Sequence, residues 1–300
     1  LIDPWTSNGW RYGFSALLWA PVLFYIVARK TKPAGLWKAA VVPAVFNAVG
    51  QMFFTLAHYR IDPALLTFGL RLQIVFVAVG AALLFPSERR VVKSPLYIVG
   101  AALVLGGATG TALLGQQPLI GASMEGFLMA VASGALFACY ALSVRKMMAG
   151  VHPVVAFAAI SQYTAATMVI LMLALGDRMG LTALSLPLNE FGLLLLSAVI
   201  GIALGHVFYY ISIANLGVAV SAGVIQLQPF CVGAASYVLF DERLTAPQWV
   251  SGLVAVAGAV MMLWLQKRIS SEARAEARAA ERRLAGAALE PKVAPLVETP

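Results

Sequence analysis

The sequence predicts an all-α polytopic membrane protein, an inverted five-helix repeat forming a ten-helix bundle of which about nine helices lie in this chain. Three observations lead there. Hydrophobic side chains make up 61% of the 300 residues and charged ones 11%, whereas a soluble domain carries about 25% charge. Seven of the 21 Lys and Arg and five of the 13 Asp and Glu follow Gln266, so the rest of the chain is poorer still in charge. Leu70-Arg71-Leu72-Gln73 recurs 155 residues later as Ile225-Gln226-Leu227-Gln228, each time in the middle of a membrane-length apolar run. Polar residues at mid-depth, present twice, are the pattern of a transporter made of two repeats.

Roughly 20 apolar residues cross the hydrocarbon. Nine runs reach that length, at 10–28, 38–58, 63–85, 95–114, 124–144, 153–175, 190–212, 218–240 and 247–266. Pro21, Pro43 and Pro229 interrupt three of them, which membrane helices tolerate when neighbours satisfy the freed backbone groups. The first run is too long for a cleavable signal peptide and lacks a small-residue cleavage site. After Gln266, Ser271-Glu272-Ala273-Arg274-Ala275-Glu276-Ala277-Arg278 predicts a solvated helix at the cytoplasmic face. Glu290 to Pro300, with three prolines, predicts disorder.

The loops set the orientation. Arg29, Lys30, Lys32, Lys38, Arg89, Arg90, Lys93, Arg145, Lys146, Lys267 and Arg268 fall on one side. Arg11, Arg60, Arg178 and Arg243 fall on the other. Eleven against four makes the first side cytoplasmic and puts the C-terminus inside. The same rule accounts for the net charge of +8 without nucleic acid.

Gly50, Phe53, Ala64, Leu72, Gln73, Leu84 and Phe85 recur at an offset of 155 as Gly205, Phe208, Ala219, Leu227, Gln228, Leu239 and Phe240. Glu88-Arg89 recurs as Glu242-Arg243 after a one-residue slip. Five spans separate equivalent positions, and an odd number makes the copies face opposite ways. The expected organisation is a first repeat over 1–114, a second over 124–266 and a charged tail over 267–300. In that register the span at 124–144 has no counterpart, which predicts a tenth helix upstream of Leu1.

The stretch Gln226-Leu227-Gln228-Pro229-Phe230, then Leu239-Phe240-Asp241-Glu242-Arg243-Leu244-Thr245, then Gln248-Trp249 and Gly252, resembles the second-repeat signature of the EamA family of the drug/metabolite transporter superfamily. Arg11 and Glu88-Arg89 resemble the first-repeat signature. Ile74 departs from it, standing where Pro229 stands in the second copy. The resemblance implies ten helices, alternating access and movement of small metabolites, often amino-acid export across a bacterial inner membrane.

Arg71 is the sharpest candidate for chemistry. It lies eight residues into its run, about 12 Å deep at 1.5 Å per residue. An Arg at the midplane costs ~2.5–3.5 kcal/mol, so it should face a cavity or an anionic partner. It is expected to recognise a substrate carboxylate; the alternative is a structural Arg bonded to helix carbonyls or to Gln73. Gln73, Gln226 and Gln228 offer amides at the same depth, either to a solute or to neighbouring helices. His206, repeat-equivalent to Gln51, could relay protons or simply pack, and Tyr209 and Tyr210 follow within a turn. Tyr140, Tyr163 and Trp19 are candidates for an aromatic pocket. Glu88 with Arg89 and Glu242 with Arg243 are expected as gate pairs or interfacial ion pairs on opposite faces. Gly100, Gly106, Gly107 and Gly110 predict close helix packing, with a homodimer as one use of it.

Three function classes meet these residues. An intramembrane enzyme would need a nucleophile with its base, or a metal cluster. His58, His152 and His206 are scattered, Cys139 and Cys231 have no ligand spacing, and no Walker-type loop is present. No catalytic role, metal or cofactor is therefore expected. A membrane scaffold or lipid-handling protein leaves the mid-depth Arg and Gln cluster unexplained. The reading that uses it is a secondary transporter of small, amino-acid-like metabolites by alternating access.

Overall fold

Helix α1 (Pro4–Ala28) begins where the Asp3 carboxylate accepts a hydrogen bond from the Thr6 amide at 2.9 Å, satisfying one of the unpaired donors of a first helical turn. The computed structural model describes residues 2–61, 63–114, 123–228, 230–231 and 245–289. Among these residues every regular element is helical. There follow α2 (Leu36–His58), α3 (Pro63–Arg71), α4 (Gln73–Leu84), α5 (Pro86–Val92), α6 (Pro95–Leu113), α7 (Met124–Met147) and α8 (Pro153–Leu175). A 3-10 segment (Asp177–Ser185) leads to α9 (Leu188–Ser197), which runs through a π-helical stretch (Ala198–Leu204) into α10 (Gly205–Leu216). Then come α11 (Val218–Ile225) and α12 (Ala246–Leu289). Pro86, Pro95 and Pro153 each open a helix, the position where a missing N–H costs nothing.

Among the described residues six helices are long and apolar enough to cross a membrane, or seven if α5 and α6, bent by 72°, count as one span. The run 63–85 comprises two short helices, α3 and α4, joined at Leu72, and the apolar helix found there, Phe68–Leu84, is shorter than the six crossing helices. The cause is local. At Leu72 the backbone switches to a tighter turn, the Val75 amide bonding to the Leu72 carbonyl at 2.9 Å. Of the run 218–240 the structure describes α11 and a short continuation; most of it, with Glu242 and Arg243, lies outside the described residues, as does the tail from Glu290. The charged segment after Gln266 is not separate from the last span: both belong to the 44-residue α12.

Large apolar side chains point outward along the spans, among them Leu17, Phe24, Val79, Leu83, Leu128, Ile170, Leu193, Phe208 and Leu253. A water-soluble surface does not carry apolar area on that scale. The chain is a multi-pass helical membrane protein.

Inside the bundle small residues set the distances. α1 lies along α8, α2 along α7, α6 along α12, and α4 touches both α7 and α11. At the α6–α12 crossing a Cβ on Gly258 would stand 2.6 Å from the Gly100 carbonyl oxygen, and one on Gly110 2.5 Å from the Ser251 hydroxyl. The glycine stripe of α6 is thus largely used within the chain, against α12. Gly106 alone of the four meets open space.

Candidate functional site

The cavity that matters lies where the two tightened helices meet. α3 ends at Arg71, and α11 ends as the Gln226 and Leu227 amides bond back three residues, to Gly223 and Val224 at 3.1 Å. Both helices thus tighten by three-residue hydrogen bonds within a few residues of Arg71 and Gln226. α7 presses on the first of these turns through Gly134, where a Cβ would stand 3.0 Å from the Leu70 carbonyl oxygen. Arg71 Nη1 donates to Gln226 Oε1 at 3.0 Å, and the two residues are 7% and 0% exposed. Arg71 Nε and Gln226 Nε2 are buried without a hydrogen-bond partner among the described residues.

Beside this pair opens a cavity of about 450 Å³. Arg71, Gln73, Gln228, Tyr140, His206 and Tyr209 all line it, and Gln226 reaches it through Arg71. Tyr12 from α1, Gln51 and Phe54 from α2, Phe137 from α7 and Ile200, Gly201 and Gly205 from the π-helical region complete the wall with Leu70 and Ile225. No carboxylate lines it among the described residues.

The wall is held by a second layer of contacts. Tyr140 and Tyr210 hydroxyls lie 2.6 Å apart, and His206 stacks on Phe157 at a centroid distance of 5.2 Å. His206 Nδ1 lies 3.0 Å from the Ile202 carbonyl oxygen, which can only accept. Nδ1 therefore donates, and a neutral ring presents Nε2 as an acceptor. Tyr12 donates to Gln51 Oε1 at 3.3 Å, and Gln51 Nε2 donates to Asn8 at 3.2 Å. The Tyr209 hydroxyl has no partner among the described residues.

Several sequence candidates lie elsewhere. Trp19 donates to the Ala203 carbonyl at 3.3 Å, and Tyr163 packs edge-on against Trp37; neither lines the cavity. Glu88 does not pair with Arg89, which bonds instead to the Ala82 carbonyl at 2.7 Å. The Glu88 carboxylate accepts from the Val218 and Ala219 amides at 3.0 Å each and stands 3.4 Å from Arg145 Nε. It thus caps the N-terminus of α11, where a carboxylate is favoured by the helix dipole. Neighbouring residues on α5 point a third of a turn apart, so the adjacency of Glu88 and Arg89 in sequence misled.

Arg11 was passed over as a site residue. Its Nε is buried without a partner, and its Nη2 lies 3.7 Å from where a Cβ of Gly201 would be. Tyr12, Phe54, Phe137 and Gly201 were missed as well. The polar Tyr12 and Gln51 inside apolar runs were the available signal; the aromatic wall left none.

Residues 124–264 match the model of the EamA-like transporter family, the family that the sequence resembles. No curated protein matches the chain. A solved crystal structure superposes with a TM-score of 0.70 at 18% identity, over 90% of this chain and 90% of that one, a likeness of fold.

Proposed function

We propose, from the premise that residues 124–264 are an EamA-like transporter segment, that this protein is a secondary transporter whose two halves form an inverted repeat around the Arg71–Gln226 contact. The membrane location and a small-molecule cargo follow from the family and the apolar helices. Alternating access, the bacterial inner membrane, a cytoplasmic C-terminus and export of an amino-acid-like or other carboxylate-bearing metabolite are this reading's further claims.

One observation carries it. Arg71 and Gln226 are 155 residues apart, the period of the repeat, and bond to each other beside a 450 Å³ cavity. Equivalent residues touch where a two-fold axis passes. The packing agrees: α1 lies on α8 and α6 on α12, each helix against its own counterpart. A solute held there contacts both halves at once, as alternating access requires.

Glu88 is the natural latch at the basic, cytoplasmic face. It comes from the first half and holds the start of α11 and Arg145 of the second. Opening that face separates them, and closing it restores two charge-assisted hydrogen bonds and an ion pair.

Purified protein in proteoliposomes, loaded with a panel of labelled carboxylates and amino acids, tests the reading. Saturable efflux or counterflow of at least one solute, lost in Arg71→Ala, is expected. Leakage no faster than empty vesicles across the whole panel rejects it.

A further inference from the structure

The transporter reading leaves open what the cavity prefers, and its donors and acceptors are unequal. Arg71 Nε and Gln226 Nε2 are donors only, both buried and both without an acceptor among the described residues. The Tyr209 hydroxyl is equally unpartnered. Behind Gly201, Arg11 brings a second guanidinium whose Nε also lacks an acceptor. Gly201 has no side chain to screen it, and the π-helical stretch that contains Gly201 is a distortion often found at functional sites.

The cavity offers a cationic ligand only neutral acceptors, among them His206 Nε2. Gln226 Oε1 already accepts from Arg71, and Gln51 Oε1 from Tyr12. No Asp or Glu lines the cavity among the described residues. Glu88, buried but outside the lining, is engaged by α11 and Arg145. Gln73 and Gln228 can accept from a hydroxyl but cannot neutralise an ammonium group. An α-ammonium would therefore enter a site with two guanidinium charges and no countercharge, in a medium where charge interactions are strong.

We infer that the cavity selects organic anions, a carboxylate on an aromatic-sized apolar body with no ammonium group, in preference to zwitterionic amino acids. The carboxylate sits on Arg71 with Gln226, in reach of the Tyr209 hydroxyl, and Arg11 adds positive potential from the α1 side. Phe54, Phe137 and Tyr140 receive the body. This rests on the transporter reading and narrows its cargo.

Four probes that share one skeleton separate the charges: 3-phenylpropanoate, phenylalanine, phenethylamine and the neutral 3-phenylpropanamide. Binding to the purified full chain in nanodiscs is measured by calorimetry, and flux by counterflow in proteoliposomes. The expected result is 3-phenylpropanoate bound at least tenfold tighter than phenylalanine, with no saturable binding of the amine. Arg71→Gln should bring the anion down to the level of the amide. Arg11→Gln should weaken the anion and leave the amide unchanged. Gly106→Ala, which lies outside the cavity and meets nothing within 4 Å, should retain the anion preference and controls for folding. Phenylalanine bound as tightly as the anion, or no binding of any probe, overturns the selectivity. Phenylalanine bound and carried would overturn it while upholding transport, whereas the anion bound but not carried would uphold the site and reject transport.

Discussion

Arg71 and Gln226, 155 residues apart in sequence, share a hydrogen bond of 3.0 Å. A buried guanidinium is costly unless something solvates it, and here part of that solvation comes from Gln226 at the end of α11. The contact therefore joins α3 to the end of α11 and holds the guanidinium beside the cavity at the same time.

Arg71→Ala should weaken carboxylate binding roughly ten- to a hundredfold, since a hydrogen bond to a charged group contributes about 1.5–3 kcal/mol and each 1.4 kcal/mol is tenfold. Arg71→Lys should rescue only part, because an ammonium cannot form the bidentate fork. Titration of the variants with the best-bound carboxylate measures both. A well-folded Arg71→Ala protein with unchanged affinity would falsify the assignment.

The Arg71–Gln226 pair should also show coupling. Gln226→Ala in the Arg71→Ala background should cost less binding energy than in the wild type, by about 0.5–3 kcal/mol, the range for residues in direct contact. Additive losses in a double-mutant cycle would mean that the two act separately.

Gly217→Ala should destabilise the Glu88 contact with the start of α11. Gly217 has φ of +84°, and a Cβ there would stand 2.8 Å from the Glu88 carboxyl carbon. The backbone strain alone costs roughly 1–2 kcal/mol. Thermal unfolding in detergent should show a lower midpoint than Gly150→Ala, which shares a positive φ but meets no neighbour within 4 Å. Equal midpoints would count against the latch geometry.

The glycine stripe of α6 offers an internal control. Gly107→Ala places a methyl 2.5 Å from the Ala255 amide nitrogen, while Gly106→Ala meets nothing within 4 Å. The first should lower stability by about 1–3 kcal/mol, as overpacking does, and the second should leave it intact. Size-exclusion profiles after a heating series distinguish them.

Asp3 should give stability a pH dependence at the acid end. Burial pushes its carboxyl up, but hydrogen bonds from the Thr6 side chain and the Thr6, Asp177 and Trp5 amides outweigh that, and it titrates below its ordinary 3.8. A depressed carboxyl stabilises the folded state fully above its unfolded value; that contribution fades as pH falls from about 3.8 through the folded-state value. Asp3→Ala should cost about 0.5–2 kcal/mol at neutral pH, the value of a helix cap. Asp3→Asn should keep most of the cap and lose this acid-side dependence, as melting curves between pH 6 and 3 would record.

Membrane class, the starts of most helices and the polar cluster were legible in the chain, because each is a local property. Burying an apolar run requires only its length, a proline or Asp3 can open a helix by its own geometry, and Arg71 announces itself by the cost of its charge in hydrocarbon. The 155-residue period was also legible, since it needs only the sequence compared with itself. Partners across the bundle were not. That Glu88 caps α11 and faces Arg145 rather than Arg89, and that Arg11 backs the cavity behind Gly201, depends on how helices cross. The break at Leu72 escaped notice because neither glycine nor proline marks it, and the turn tightens where α7 presses on it through Gly134. Hydropathy records which residues avoid water, whereas contacts between distant residues are decided by packing, and packing exists only once the helices are assembled.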